Sequence, residues 1–96
     1  MNKPGPATEQ SQRLDKWLWF ARFARGREDV VALIEAGRIR RNGQPASKPG
    51  QAVRLGDVLT FVQGKEVRVV RVLGFAERRG PAEAARLLYE DVATPP

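Results

Sequence analysis

Ninety-six residues suffice for one small domain with a modest core, and no segment approaches the ~20 consecutive apolar residues of a membrane span. The chain has neither cysteine nor histidine. That excludes disulfides and thiolate metal sites, and it removes the usual zinc ligands and the commonest general base. The formal charge of +6 is concentrated, because residues 13–54 hold ten basic residues against four acids while the flanks balance. A field of one sign over such a stretch attracts a polyanion, and phosphodiester backbone is the commonest one. A cytoplasmic binding protein that needs no cofactor and no metal is the expectation.

In chain order, residues 1–12 (MNKPGPATEQSQ) are polar, lack the apolar core of a secretory signal, and read as a disordered lead. From Arg13 a helical period appears, with Leu14, Trp17, Leu18 and Ala21 at i, i+3, i+4 and i+7. The helix is predicted to end before Gly26, with Trp19 and Phe23 on a different side, close to Lys16. A second helix fits Arg27 to Ala36. Gly26 serves as its N-cap, Glu28 and Asp29 suit its first turn, and Val30, Leu33 and Ile34 form its apolar stripe. Gly37 follows as a left-handed C-cap.

The period then changes. Residues 38–41 read as a short strand, and Asn42-Gly43 is a type I′ turn signal. Residues 44–57 read as loop, closing in a turn at Gly56-Asp57. A strand over 58–62 and a return strand over 66–73 flank a turn at Gln63-Gly64-Lys65. The alternation Val67, Val69, then Val70, Val72 slips by one, which predicts a bulge. Pro81 opens a last helix running to about Asp91, with Ala84, Leu87 and Leu88 as its apolar side.

Arg22, Arg25 and Arg27 surround Gly26 at a helix start, an arrangement suited to seat a phosphate on backbone amides and guanidinium forks. The bland alternative is a solvated basic loop. On a strand, Arg38 and Arg40 share one face and are read as RNA contacts, while Ile39 faces the core and Arg41 shares its side. Asn42 is explained by its turn. Arg13 and Lys16 lie within one turn of the first helix, and Asp15 beside them reads as a local charge partner, not a catalyst. Lys48 completes the basic segment as a candidate contact. Trp19 and Phe23 offer a base-stacking platform, but the expectation is that Leu87, Leu88 and Tyr89 of the last helix cover them.

The run RLDKWLW (13–19), then Ala21-Arg22-Phe23, a basic loop with Arg27, an apolar helix ending at Gly37, Ile39, Asn42-Gly43 and Gly56-Asp57 resembles a known module. It is similar to the RNA-binding S4 domain, named after small-subunit ribosomal protein four. The resemblance implies an α+β fold, the alpha-L motif: two packed helices followed by a small antiparallel sheet, here over residues 13–74. A C-terminal helix and frayed tail would occupy 75–96. Where the family usually has Ser or Thr, this chain has Gly26, and Arg41 replaces a common apolar or aromatic strand residue.

The wording RLDKWLW together with ERRGPA and LYE between Glu77 and Glu90 resembles one branch, the small bacterial heat-shock and ribosome quality-control proteins. That resemblance implies binding to ribosomal RNA and tRNA on a large ribosomal subunit that still carries peptidyl-tRNA. The expected contacts are Arg13, Lys16, Arg22, Arg25, Arg27, Arg38, Arg40, Arg41 and Lys48, in a monomer that is not an enzyme. Two other readings fit the same charge: a nonspecific DNA or nucleoid binder, and a protein-interaction module using the Trp19 and Phe23 face.

Overall fold

A computed structural model describes residues 11–92. Strand β1 (Ser11–Arg13) leads directly into helix α1 (Leu14–Phe20), and α2 (Arg27–Glu35) follows. Ser11 and Gln12, expected in a disordered lead, are therefore in a strand, while the rest of that lead and residues 93–96 lie outside the described part. Next come β2 (Ile39–Arg41), β3 (Gln44–Pro45), β4 (Ala52–Arg54), β5 (Val58–Gln63) and β6 (Glu66–Val72). A short helix α3 (Ala82–Ala85), a 3-10 turn (Arg86–Leu88) and β7 (Tyr89–Asp91) complete the order.

Both long helices end in the same device. At the end of α1 the Phe23 N–H donates to the Leu18 carbonyl and the Arg22 N–H to the Trp19 carbonyl, at 2.8 and 3.1 Å. At the end of α2 the Arg38 N–H reaches Leu33 at 2.8 Å and the Gly37 N–H reaches Ile34 at 3.0 Å. These are Schellman closures, which need a left-handed residue just past the helix. Gly37 supplies it with φ +68°, as its sequence position predicts. In α1 the residue is Arg22, with φ +67°. No glycine marks that stop, which is why the sequence overextends the first helix to Gly26.

The main sheet runs β3-β2-β5-β6-β7, antiparallel throughout. Asn42 and Gly43, at φ +54° and +81°, form the predicted two-residue hairpin turn between Arg41 and Gln44. The Asn42 amide also braces the sheet, accepting from the Val58 N–H at 2.8 Å and donating to Asp57 at 3.0 Å. Between β5 and β6 the register is continuous from Val58–Arg71 to Gln63–Glu66, so the expected bulge is absent from this ladder. Val70 and Val72 face the core, whereas Val69 lies on the opposite face beside Val92. Burial on both faces mimics a phase slip.

The segment read as loop over 44–57 holds two strands. In it, β4 pairs with β1 as a second, two-stranded sheet, and Val53 and Ala46 are buried. The last helix is also corrected. It is a single turn, and the chain then extends because Leu88 accepts the Leu73 and Gly74 N–H groups and Tyr89 pairs with Val72. The α1 stripe of Leu14, Trp17, Leu18 and Ala21 packs with Val30, Ile39, Leu59, Phe61, Val70 and Val72 in one core. Trp17 is fully buried, and its indole N–H donates to the Gly74 carbonyl at 2.9 Å.

Candidate nucleic-acid interface

The start of α1 lies against the start of α2, and a buried carboxylate joins them. Asp15, 6% exposed, accepts from Arg13 through Nε and Nη2 at 3.1 and 3.0 Å and from the Lys16 N–H at 2.8 Å. Arg27, the first residue of α2, lies 3.5 Å away through Nε. Burial pushes the Asp15 carboxyl up, but the Arg13 and Lys16 hydrogen bonds and the charges of Arg13 and Arg27 outweigh it. The group is held below the usual carboxylate range. Its partner Arg13 is exposed, yet the acid itself is not, so this is more than the surface pair that the sequence suggests.

A loop closes the third side. The Leu14 and Asp15 N–H groups, with no helical partners of their own, donate to Gln51 and Pro49 at 2.9 Å each. Gly50 sits so close that a Cβ there would lie 3.2 Å from Arg13 Nη2. This loop carries the exposed Lys48. Arg13, Asp15, Lys16, Trp19, Gly26 and Arg27 line an open cleft at this corner. Beside it, Gly26 caps α2 in extended backbone, and Asp29 compensates for the missing side-chain cap by accepting the Arg25 N–H at 2.8 Å. The fold thus brings Arg13, Lys16 and Arg27 to one cleft, with Arg25 and Lys48 on the two chain segments that border it.

The other four expected contacts are placed elsewhere. Arg38 and Arg40 follow the far end of α2, about 13 Å along a nine-residue helix from Arg27. Both are exposed, and Arg40 Nη1 donates to the Gly43 carbonyl of its own hairpin at 3.1 Å. Arg41 is tied to Asp57 at 3.1 Å. Burial raises the Asp57 carboxyl, but the Arg54 N–H, Asn42 and Arg41 together bring it below its ordinary range. Arg22 Nε donates to the Gly80 carbonyl at 2.9 Å, clipping the C-terminal segment to the end of α1.

The aromatic expectation is half corrected. Phe23 is covered as expected, 4.6 Å from Tyr89 and 5.0 Å from Phe61 between ring centroids. Leu87 covers nothing there, being 76% exposed. Trp19 lines the cleft, and the C-terminal residue over its ring is Arg79, with Cζ 5.4 Å from the centroid. Sequence reasoning missed Arg79, since nothing local ties it to a residue 60 positions earlier.

Among the described residues, no helix is long and apolar enough to cross a membrane, and no cluster of three His, Cys, Asp or Glu side chains is placed to hold a metal ion.

The Asp15 geometry has a testable consequence for pH. A carboxyl depressed in the fold contributes stability above its unfolded pKa of about 3.9 and loses it as pH falls through the folded value. Asp15→Asn should therefore destabilise the protein at pH 7, by about 1–3 kcal/mol for the charged hydrogen bonds lost. The gap between the two proteins in thermal unfolding should close below about pH 4. A gap that stays constant into acid would show that the Asp15 charge is not what joins the helices.

Comparison with known proteins agrees with this architecture. The family model for the S4 domain matches residues 12–59. Heat shock protein 15 homolog of Aeromonas salmonicida is 48% identical over 89 residues, 92% of this chain and 67% of that protein. Heat shock protein 15 of Escherichia coli K12 is 47% identical over 91 residues, 95% of this chain and 66% of its own. The chain thus spans about two thirds of the length of these relatives. A trimeric structure of Vibrio cholerae heat shock protein 15 superposes with a TM-score of 0.79 at 36% identity, covering 88% of this chain and 84% of that one. Fold, motif and relatives agree: the chain belongs to the S4-domain family of RNA-binding modules, in its heat shock protein 15 group.

Proposed function

We propose that this protein binds structured RNA through the corner where α1, α2 and the Lys48 loop meet. The observation that carries this reading is that Arg13, Lys16 and Arg27 line one cleft, with the exposed Arg25 and Lys48 on the segments beside it. Arg13 is held by a buried acid that Arg27 also approaches. Cations fixed on helix starts recognise phosphates by position, and structured RNA is read mainly by shape and backbone. Arg38 and Arg40 form a second cationic group at the far end of α2, so an RNA longer than one phosphate step would touch both. Arg41 and Arg22 contribute charge while holding the hairpin and the C-terminal segment. Binding needs no bond made or broken.

The target we infer is ribosomal RNA and tRNA side by side, on a dissociated large ribosomal subunit that carries peptidyl-tRNA. Membership in the heat shock protein 15 group supports this, as do two cationic groups at the two ends of one helix. Two backbones held close together raise the effective concentration for the second contact. The expected contacts all come from one chain, and we take the monomer as the binding unit. A nonspecific DNA binder is the competing reading, and affinity for hairpin RNA against duplex DNA at fixed salt separates the two.

If about six phosphates are neutralised, log K against log salt should fall with a slope of about −4 to −5. Replacing Arg25 and Arg27 by Gln should make the slope shallower by about 2 and weaken binding at least tenfold. Replacing Arg68 and Arg71 by Gln together, the same loss of two charges, should do little, because those guanidinium groups are held by Asp91 and Glu90 at 2.9 and 2.6 Å. Equal losses at both places would mean that net charge, not a built surface, governs binding.

Location in the cell extract tests the target. After translation is stalled, the protein should sediment with separated large subunits, and releasing the nascent chain from its tRNA should reduce that share. Sedimentation with small subunits, or at the top of the gradient, would leave only the general RNA-binding reading.

A further inference from the structure

Trp19 is an aromatic that the core does not use fully. Trp17, two residues before it, is sealed in the interior, and Phe23 is boxed by Phe61 and Tyr89, with the Arg68 guanidinium 5.1 Å from its ring centroid. Trp19 instead stands on α1 one turn after Lys16, with Arg13 in the extended backbone just before the helix. It is half-buried and lines the same cleft as those two cations and Arg27.

Its ring is held in place from behind the phosphate site. Arg79 comes from the segment after β6, donates Nε–H to the Trp19 carbonyl at 3.1 Å, and lays its guanidinium over the indole. Phe20 adds a tilted contact at 5.2 Å between centroids. An indole fixed by two neighbours loses little freedom when something else stacks on it. The guanidinium sits over one face of the indole and keeps the ring in the wall of the cleft.

Cations alone would serve for a paired helix, whose bases are already stacked on one another. A half-exposed indole among phosphate-binding cations is useful to a base that is not paired. We propose that the cleft seats one unpaired nucleotide, its base stacked on Trp19 beside Arg79 and its flanking phosphates on Arg13, Lys16 and Arg27. The inference rests on the RNA-binding reading and adds the kind of RNA: a loop, bulge or extruded base, in preference to a continuous duplex. It also makes Arg79, which lies outside the residues matched by the S4 model, a binding residue.

The test uses the full chain, with two labelled RNAs at one salt concentration: a hairpin with an unpaired loop, and a blunt duplex of the same stem sequence. The wild type should bind the hairpin more tightly. Trp19→Leu should weaken hairpin binding about tenfold and leave the duplex nearly unaffected, since stacking on one base is worth that much. Trp19→Phe, which keeps a flat ring, should retain most of the affinity, and Arg79→Gln should lose part of it. The wild-type tryptophan fluorescence should be quenched by the hairpin and not by the duplex. If Trp19→Leu is unfolded by circular dichroism, the Phe and Gln variants and the quenching decide. Equal affinity of the wild type for both RNAs, or an equal loss on both with the fold intact, overturns the unpaired-nucleotide site while the phosphate-driven reading stands. Binding to neither RNA overturns both.

Discussion

A single buried carboxylate organises the corner where the two long helices of this protein begin. Asp15 lies at the second position of α1, where the helix dipole favours a negative charge, and it bonds the Lys16 amide there. The same group holds Arg13 and neighbours Arg27 at the start of α2, so both helix starts are referred to one point. Taking a carboxylate out of water is costly unless it is well paired, and removing one partner from such a group leaves a buried charge uncompensated. The acid lowers the net positive charge of the corner by one. In exchange it holds the Arg13 guanidinium in place and draws Arg27 to within 3.5 Å, and position is what phosphate recognition requires.

Much of the architecture is legible in the residues because several local signals agree. The stripe of Leu14, Trp17, Leu18 and Ala21, the Gly37 stop and the Asn42-Gly43 hairpin each have one physical reading, and all three hold. The errors share a cause: the deciding partner is distant in sequence. Arg22 ends α1 in a backbone region where glycine is expected, stabilised by packing of Phe23 on Phe61 and Tyr89. Strand β4 carries one buried residue, Val53, between exposed neighbours, too short a pattern to be seen until β1 pairs with it. The last helix gives way to β7 because the edge of β6 offers hydrogen bonds, which tertiary context supplies and propensity does not.

The candidate site shows the same division. Composition concentrates charge in residues 13–54, but it cannot tell oriented arginines from solvated ones. The fold sorts them: three line one cleft with Arg25 and Lys48 on segments beside it, two lie beyond α2, and Arg22 and Arg41 are tied to the Gly80 carbonyl and to Asp57. The balanced half of the chain, which charge counting would set aside, contributes Arg79 to the edge of the site. In contrast, Arg68 and Arg71 are matched by Asp91 and Glu90 across β6 and β7 at 2.9 and 2.6 Å. Those arginines stabilise a sheet edge and offer little to a polyanion.

If RNA meets this protein at the corner built around Asp15, and not over the basic segment at large, ultraviolet crosslinking in cells will show it once the attached peptides are read by mass spectrometry and the RNA is sequenced. Adducts should fall on residues 13–19, on 25–27 and on the loop bearing Lys48, joined to ribosomal RNA or tRNA. Adducts confined to β5, β6 and β7, or an attached pool with no enrichment of those RNAs, would contradict this expectation.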